Sequence, residues 1–173
     1  APHSYGVFRL SPNDELKSLE LTKDRNKLVT ETNVTSIIKP VMEKNTLWLT
    51  VRDGIIRYNL NNKEQKYFAF LEDDGRFTRR LRSTCYDRDS TLYISSFGSG
   101  LWAFNVFNEK YEQFLYDNRD ERTPSSNNSR WVFNYDKNTL ILPYNAKRIP
   151  LYFNHSLKKF QNAGSNIVNL LEG

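Results

Sequence analysis

Short stretches in which apolar and polar residues alternate run along most of the chain, separated by turn-forming residues. The clearest series occupies residues 33–68, where four such stretches are joined by three turns. Alternation with a period of two places successive side chains on opposite faces of a β-strand. The pattern therefore predicts four short antiparallel strands in this segment, with helix nearly absent.

One strand of this segment returns twice along the chain. Leu47 and Trp48 lie in a stretch whose pattern recurs from Leu92 and from Leu140, 45 and then a further 48 residues on. A strand-rich repeat with a period of about 40–50 residues is typical of β-propeller blades, four-stranded units that must stack to bury their faces. We therefore predict an all-β chain, a β-propeller of four-stranded antiparallel blades.

The first and last repeats are incomplete. Gly6 begins a strand of the type that is third in the other repeats, residues 17–21 alternate as a fourth, and residues 166–172 begin a new first strand. The charged segment 22–32 contains no glycine or proline, and we expect it to cross between blades. The predicted blade boundaries are 1–32, 33–76, 77–127, 128–164 and 165–173. Because propellers close with about four to eight blades, this chain corresponds to about four blades of a partial or larger propeller.

Glycines mark two of the predicted hairpins. The Asp53-Gly54 pair is expected to supply the positive φ that a tight turn needs. The Phe97-Gly98-Ser99-Gly100 segment joins a strand to a strand and opens no helix. A phosphate-binding glycine loop requires a helix after it, so this segment is predicted to be a hairpin.

Composition limits the class of protein. The 25 Lys and Arg residues exceed the 20 Asp and Glu residues, which gives a net charge of +5 and favours anionic partners without identifying one. The single cysteine, Cys85, excludes an intrachain disulfide and is expected to be a small core residue. No apolar run reaches the ~18 residues that span a bilayer, so any signal or membrane helix is expected outside these 173 residues.

Catalytic and metal chemistry have little support in the sequence. The two histidines are His3, near the start, and His155, in an outer turn. Neither position favours a histidine-based triad or a zinc site. The carboxylates at 72–74 and at Asp117, Asp120 and Glu121 lack the ligand spacing of a calcium loop and are expected to be solvated. We predict no catalytic residue, no metal site and no cofactor.

Arginines and aromatic residues are the candidates for ligand binding. Five arginines lie in thirteen residues, at positions 76, 79, 80, 82 and 88. Arginine suits carboxylate and sulfate groups, which makes an acidic sugar a candidate ligand, but a basic edge paired with the carboxylates at 72–74 and 87 is the favoured explanation. Trp48 and Trp102 lie inside the repeated strands, which favours packing between blades. Trp131 alternates with Phe133 and Tyr135 after a polar loop, so both a sugar-stacking and a core position are open.

Propeller geometry predicts where a ligand would bind. Loops that lead into innermost strands emerge on the same face as loops that join second and third strands. The residues expected to gather on this face are Arg52, Arg79, Arg80, Ser99, Asn128, Arg130, Tyr144 and Asn145. Guanidinium, amide and aromatic groups together suit a hydroxyl-rich or acidic sugar. The predicted ligand-binding residues are Arg52, Arg79, Arg80, Arg130, Tyr144 and Asn145.

Three copies of short motifs carry a family resemblance. The segments 33–37, 47–50, 54–58, 92–95 and 100–104 resemble the two-component regulator propeller repeat, and the resemblance covers nearly the whole chain. Its specificity comes from three copies at one period. The small glycine usual in the Leu-Trp strand is absent, and the third repeat is recognisable mainly by position.

The resemblance implies a sensor. Proteins with this repeat are commonly periplasmic sensor portions of bacterial hybrid two-component systems that recognise oligosaccharides and signal to a kinase. It implies that this chain carries no kinase or DNA-binding residues and contacts a membrane only through segments outside it. A propeller scaffold for protein–protein contacts remains open, as does a lyase or hydrolase, against which the two peripheral histidines argue. Incomplete blades expose apolar faces and strand edges, so self-association or contact with further blades is expected.

Overall fold

A computed structural model of the chain describes residues 7–10, 16–19, 22–24, 27–28, 34–40, 43–78, 80–115, 117, 119, 126–143 and 151–162. Sixteen β-strands lie in these ranges, and no described residue is helical. The all-β prediction is confirmed. The chain divides into two compact units, Ala1–Thr78 and Arg79–Gly173.

The first unit contains eight strands. They are β1 (Val7–Leu10), β2 (Leu16–Leu19), β3 (Thr22–Asp24), β4 (Lys27–Leu28), β5 (Ser36–Ile38), β6 (Thr46–Val51), β7 (Gly54–Asn59) and β8 (Gln65–Ala69). Strands β5 to β8 form a four-stranded antiparallel sheet in chain order, here called the first sheet. Strands β1 and β2 form a separate antiparallel pair, in agreement with two predicted strands.

The segment 22–32 differs from the prediction. It was expected to be a crossing without strands, but β3 and β4 pair antiparallel within it. That expectation considered only glycine and proline as turn formers. Asp24 and Asn26 are also residue types that favour tight turns, because their short polar side chains hydrogen-bond to nearby backbone groups.

The second unit also contains eight strands. They are β9 (Leu81–Tyr86), β10 (Thr91–Ser96), β11 (Leu101–Asn105), β12 (Tyr111–Phe114), β13 (Phe133–Asn134), β14 (Thr139–Leu142), β15 (Leu151–Asn154) and β16 (Lys159–Asn162). Strands β9 to β12 form the second sheet and β13 to β16 the third sheet, each antiparallel and in chain order. The four-stranded antiparallel architecture predicted from the repeat is confirmed.

The repeated strands supply the cores of the sheets. Trp48 and Trp102 are 1% and 0% exposed, and each packs against an aromatic ring on the fourth strand of its own sheet. The Trp48 and Phe68 ring centroids lie 5.8 Å apart, and those of Trp102 and Tyr111 lie 5.4 Å apart. The two tryptophans are therefore packing residues. The sequence favoured packing between blades, whereas these ring contacts lie within one sheet.

The second and third sheets share one apolar core. The second sheet contributes Cys85, Tyr93 and Leu101. The third sheet contributes Val132, just before β13, and five residues of β14, β15 and β16, namely Leu140, Leu142, Leu151, Phe153 and Phe160. Phe153 is central, since its ring centroid lies 5.7 Å from that of Tyr93 and 4.6 Å from that of Phe160. Cys85 is the small core residue that the sequence predicted.

Gly54 corrects one detail of the turn prediction. Its φ is not in the left-handed region, which among the described glycines is occupied by Gly75, Gly98 and Gly100. A Cβ atom at Gly54 would instead overlap the carbonyl oxygen of Phe68 on β8. Glycine is required here because two backbones approach closely, and the turn itself does not demand it.

The connection from third to fourth strand is built alike in all three sheets. It begins with an asparagine whose Oδ1 accepts a backbone N–H two or three residues on. These pairs are Asn59 with Asn61 at 2.9 Å, Asn105 with Phe107 at 3.0 Å, and Asn154 with Leu157 at 2.9 Å. Four residues after each asparagine stands a residue with positive φ, respectively Lys63 (62°), Glu109 (58°) and Lys158 (50°). We call this structure the asparagine turn.

Candidate functional site

Three loops of the second unit meet at one end of its strands. They lead into β9, join β10 to β11, and lead into β13. The Phe97 N–H donates to the Arg80 carbonyl at 3.1 Å, and Phe97 also forms an isolated antiparallel bridge with Asn128. The Gly98 and Gly100 N–H groups both donate to the Asn127 carbonyl at 3.0 Å. We call this site the loop cluster, formed by Arg80, Phe97, Ser99, Asn128, Arg130 and Trp131.

Arg80 and Phe97 form the centre of the loop cluster. The Arg80 guanidinium carbon lies 5.7 Å from the centroid of the Phe97 ring, and Phe97 is 43% exposed. Arg80 has a φ of 62°, a left-handed conformation that costs a residue with a side chain on the order of 1–3 kcal/mol. The hydrogen bond to Phe97 helps to hold this conformation. The result is a cation held above an exposed aromatic ring.

Asn128 brings a hydrogen-bond acceptor into the loop cluster. Its Oδ1 atom is buried and has no hydrogen-bond partner within the described part of the chain. Its backbone N–H is satisfied by the Ser126 Oγ at 3.1 Å. A buried carbonyl oxygen without a donor costs about 1–3 kcal/mol, so a hydrogen-bond donor brought to this atom would be stabilising.

Trp131 is exposed and does not join the core. It is 47% exposed, and its ring stacks on Phe133 with an interplanar angle of 20° and a centroid distance of 6.4 Å. The Arg130 guanidinium lies 5.9 Å from the Trp131 ring centroid. Of the two positions that the sequence left open for Trp131, the core position is therefore wrong.

The remaining predicted site residues belong to other parts of the chain. Arg52 is exposed in the turn between β6 and β7, in the first unit. Arg79, Tyr144 and Asn145 lie outside the described residues. Ser99 is buried, and its carbonyl accepts a hydrogen bond from Gln113 Nε2 at 2.9 Å.

The five-arginine cluster divides between different surroundings. Arg76 pairs with Asp74, with an Nε to Oδ2 distance of 2.6 Å. This hydrogen bond is the main reason that the pKa of Asp74 is lowered. Arg80 precedes β9, whereas Arg88 follows it. Arg80 and Arg88 therefore lie at opposite ends of β9, and pairing with an acidic loop accounts for Arg76.

A polar crevice lies at the other end of the same strands, where sequence reasoning placed no site. It is formed by the turns after β9, β13 and β15 and has a volume of about 910 Å³. Its lining residues are Asp87, Arg88, Asp89, Asn134, Tyr135, Asp136, Lys137, Asn138, His155 and Ser156. We call it the turn crevice. The polar turns after β9 and β13 were visible in the sequence, but their proximity depends on how the two sheets pack.

Two kinds of feature are absent from the described ranges. No three or more His, Cys, Asp or Glu side chains in those ranges are grouped so as to hold a metal ion. No helix in the same ranges is long and apolar enough to cross a membrane.

Comparison with known proteins gives structural matches only. No protein-family model matches the sequence, and no curated protein is similar to it. The extracellular domain of the hybrid two-component system BT3049 from B. thetaiotaomicron matches with a TM-score of 0.62 and 16% identity, over 79% of this chain and 19% of that one. The extracellular domain of BT4673 from the same organism matches with a TM-score of 0.60 and 15% identity, over 93% and 22%. The WD40 repeats of RRP9 match with a TM-score of 0.56 and 9% identity, over 76% and 38%.

These matches define the class of fold. The chain has the β-propeller fold, and the predicted resemblance to propeller sensor domains is confirmed at the level of the fold. The chain spans about a fifth of the length of the two sensor domains, at 19% and 22%. At identities of 15–16% the likeness concerns the fold and leaves the function to be argued from the site.

Proposed function

We propose that this chain is a segment of the ligand-sensing propeller of a bacterial two-component system, located in the periplasm. It would recognise an oligosaccharide and signal to a kinase outside these residues, without performing a reaction itself. The fold shared with two extracellular sensor domains supports the sensor role. The observation that carries the ligand proposal is the Arg80 guanidinium above the exposed Phe97 ring, in the same loop cluster as Asn128, whose Oδ1 has no hydrogen-bond partner among the described residues.

The loop cluster matches the chemistry of an acidic sugar. A sugar hydroxyl is a hydrogen-bond donor and would satisfy Asn128 Oδ1. The exposed rings of Phe97 and Trp131 are flat apolar surfaces on which a sugar ring can stack. Ligand sites typically combine such surfaces with a few well-placed polar groups. Arg80 and Arg130 are fixed over these rings and suit a carboxylate or sulfate group.

Thermal unfolding with defined glycans tests this proposal. We expect a hexamer of galacturonic acid, an acidic probe, to raise the melting temperature, since a ligand present at 100 times its Kd stabilises the native state by about 2.7 kcal/mol. Arg80→Ala and Asn128→Ala should each remove most of this stabilisation. Arg82→Ala is the matched control, because Arg82 is an exposed arginine on β9 outside the loop cluster. An equal shift in the wild type and in Arg80→Ala would place the ligand elsewhere.

A second proposal, a protein-contact role, rests on the outer face of the third sheet. Trp131, Phe133 and Tyr135 are 47%, 49% and 56% exposed on this face. Phe133 pairs with Ile141 across β13 and β14 just as Cys85 pairs with Tyr93 across β9 and β10. In the second sheet this pair is covered by the third sheet. The equivalent face of the third sheet therefore suits a further sheet of the same repeat, in a longer protein.

A further inference from the structure

The walls of the turn crevice are held in place by hydrogen bonds. Asp87 Oδ1 accepts the backbone N–H groups of Asp89 and Ser90 at 2.9 Å and of Thr91 at 3.0 Å. In the turn after β13, Asp136 Oδ1 accepts the Asn138 N–H at 2.8 Å. The two turns are thus shaped by their own carboxylates, which leaves the crevice preformed.

Contacts between sheets and turns fix the crevice further. Asn134 Nδ2 donates to the Tyr86 carbonyl at 2.8 Å, which ties β13 to the end of β9. His155 Nε2 lies 3.0 Å from the Lys137 carbonyl oxygen. Because a carbonyl only accepts, this nitrogen carries the proton, and Nδ1 is an acceptor when the ring is neutral. The His155 ring also packs 5.7 Å from Tyr93.

The charges in the turn crevice balance closely. Three carboxylates line it, Asp87, Asp89 and Asp136, together with two permanent cations, Arg88 and Lys137. A ligand with a strong charge of either sign would meet like charges here. Paired donors and acceptors instead suit the hydroxyl groups of an uncharged ligand, each of which both donates and accepts.

Tyr135 adds an aromatic surface to this polar site. The side chain is 56% exposed, and its ring meets Tyr152 edge-on, with centroids 5.3 Å apart and an interplanar angle of 82°. The contact with buried Tyr152 supports the ring. A supported, exposed ring beside a polar cavity of about 910 Å³ is the arrangement that a ligand of several sugar rings requires.

We propose that the turn crevice is a second binding site, for a neutral oligosaccharide, at the strand ends opposite to the loop cluster. Tyr135 would stack against a sugar ring, and Arg88, Asn138 and His155 would hydrogen-bond to its hydroxyl groups. The choice of a sugar as ligand rests on the proposed sensor function. The choice of a neutral one rests on the balanced charges of the crevice.

Isothermal titration with three probes tests this proposal: maltohexaose and xylohexaose, which are neutral, and the galacturonate hexamer, which is acidic. We expect a neutral probe to bind the wild type and Tyr135→Ala to weaken its binding at least tenfold. Tyr135→Phe retains the ring and should bind nearly as the wild type does. Phe107→Ala is the matched control, since Phe107 is a 71% exposed aromatic residue outside the crevice. Ser156→Trp, which places a large ring at the exposed turn, should block binding independently.

Each result separates the two sites. Loss of neutral binding in Tyr135→Ala and Ser156→Trp, with binding retained in Arg80→Ala, supports the turn crevice. Neutral binding that is lost in Arg80→Ala and retained in Tyr135→Ala overturns it. If only the acidic probe binds, and Arg80→Ala abolishes this, the crevice proposal fails while the proposed function stands. Binding of none of the three probes overturns both.

Discussion

At Gly54 a single hydrogen atom in place of a side chain lets β7 and β8 pair. The space beside the Gly54 Cα atom is filled by the β8 backbone at Phe68 and by the Tyr67 ring. Gly100, at the start of the third strand of the second sheet, faces the carbonyl oxygen of Phe114 in the same way and also has a φ of 70°. Glycine therefore recurs at this position because the backbone of the fourth strand leaves no room for a Cβ atom.

We predict that Gly54→Ala destabilises the protein by about 1–3 kcal/mol, the usual range when a well-packed site is overfilled. The obstructing atom is a backbone oxygen, which cannot rotate away. Urea unfolding measures the loss. Gly75→Ala is the comparison, because a Cβ there meets nothing within 4 Å and only the positive φ is strained. A smaller loss at Gly54 than at Gly75 would contradict the close-approach explanation.

Cys85 predicts a dependence of stability on alkaline pH. Burial, with a smaller contribution from Asp87, raises the pKa of its thiol to about 12, whereas an unfolded thiol has a pKa of about 8.5. Between these values the unfolded state loses its proton first, so the free energy of unfolding falls as the pH rises. Cys85→Ala should lose less stability between pH 8 and pH 10 than the wild type does, as measured by urea midpoints.

A thiol reagent provides the control for this prediction. The buried, protonated Cys85 should react with Ellman's reagent at pH 8 only after the protein is unfolded in urea. Burial also raises the pKa of Tyr67 and Tyr93, but phenols titrate from about pH 10 upward. Rapid reaction of the folded protein at pH 8 would show that Cys85 is accessible.

At the scale of the element, the asparagine turn recurs with the same construction in all three four-stranded sheets. One side chain begins the connection, and one residue in the left-handed region ends it. In the second sheet the Asn105 Oδ1 accepts two backbone N–H groups, from Phe107 and Asn108, both at 3.0 Å. The turn thus determines which residue of β12 pairs with which residue of β11.

We predict that Asn105→Ala lowers the free energy of unfolding by about 1–2 kcal/mol, because two backbone donors lose their partner. Asn61→Ala is the matched control, an exposed turn asparagine whose side chain makes no hydrogen bond within the described residues. Glu109→Gly should act in the opposite direction, since glycine adopts positive φ without steric cost. If urea unfolding shows equal stability for Asn105→Ala and Asn61→Ala, the Asn105 side chain does not stabilise the turn.

Strands were predictable from the sequence because their alternation is local, and the recurrence from Leu47 to Leu92 and Leu140 identified the sheets. The asparagine turn was overlooked because its signal is one polar residue after an aromatic one, as in Tyr58-Asn59. Whether Trp131 is covered was not predictable, since alternation shows which residues share a face and not what packs on it. The turn crevice was missed for a related reason: its lining comes together only when two sheets pack.

At the scale of the whole molecule, one face of the third sheet exposes a group of large apolar side chains. It combines three large aromatic residues, Trp131, Phe133 and Tyr135, with the partly buried Ile141. Contiguous exposed apolar side chains of this size mark a contact surface. In a longer propeller a further sheet would cover Phe133 and Ile141, the pair equivalent to the covered Cys85 and Tyr93.

We predict that the 173-residue chain on its own associates at high concentration through this face. Phe133→Asp should shift sedimentation toward the monomer, because a charge would have to be buried in the contact. Phe107→Asp is the control, as Phe107 is also exposed but lies in the asparagine turn of the second sheet. A monomer at all concentrations, or equal sedimentation of both variants, would argue against a contact role for the face.

The strand order of the sheets has a consequence for biosynthesis. The strands of each four-stranded sheet pair in chain order. Each strand is therefore hydrogen-bonded only to the strands that directly precede or follow it in the sequence. Contacts between near neighbours form quickly, because little chain entropy is lost in closing them. A sheet can therefore begin to form on the ribosome as soon as its own four strands have emerged, before the next repeat is translated.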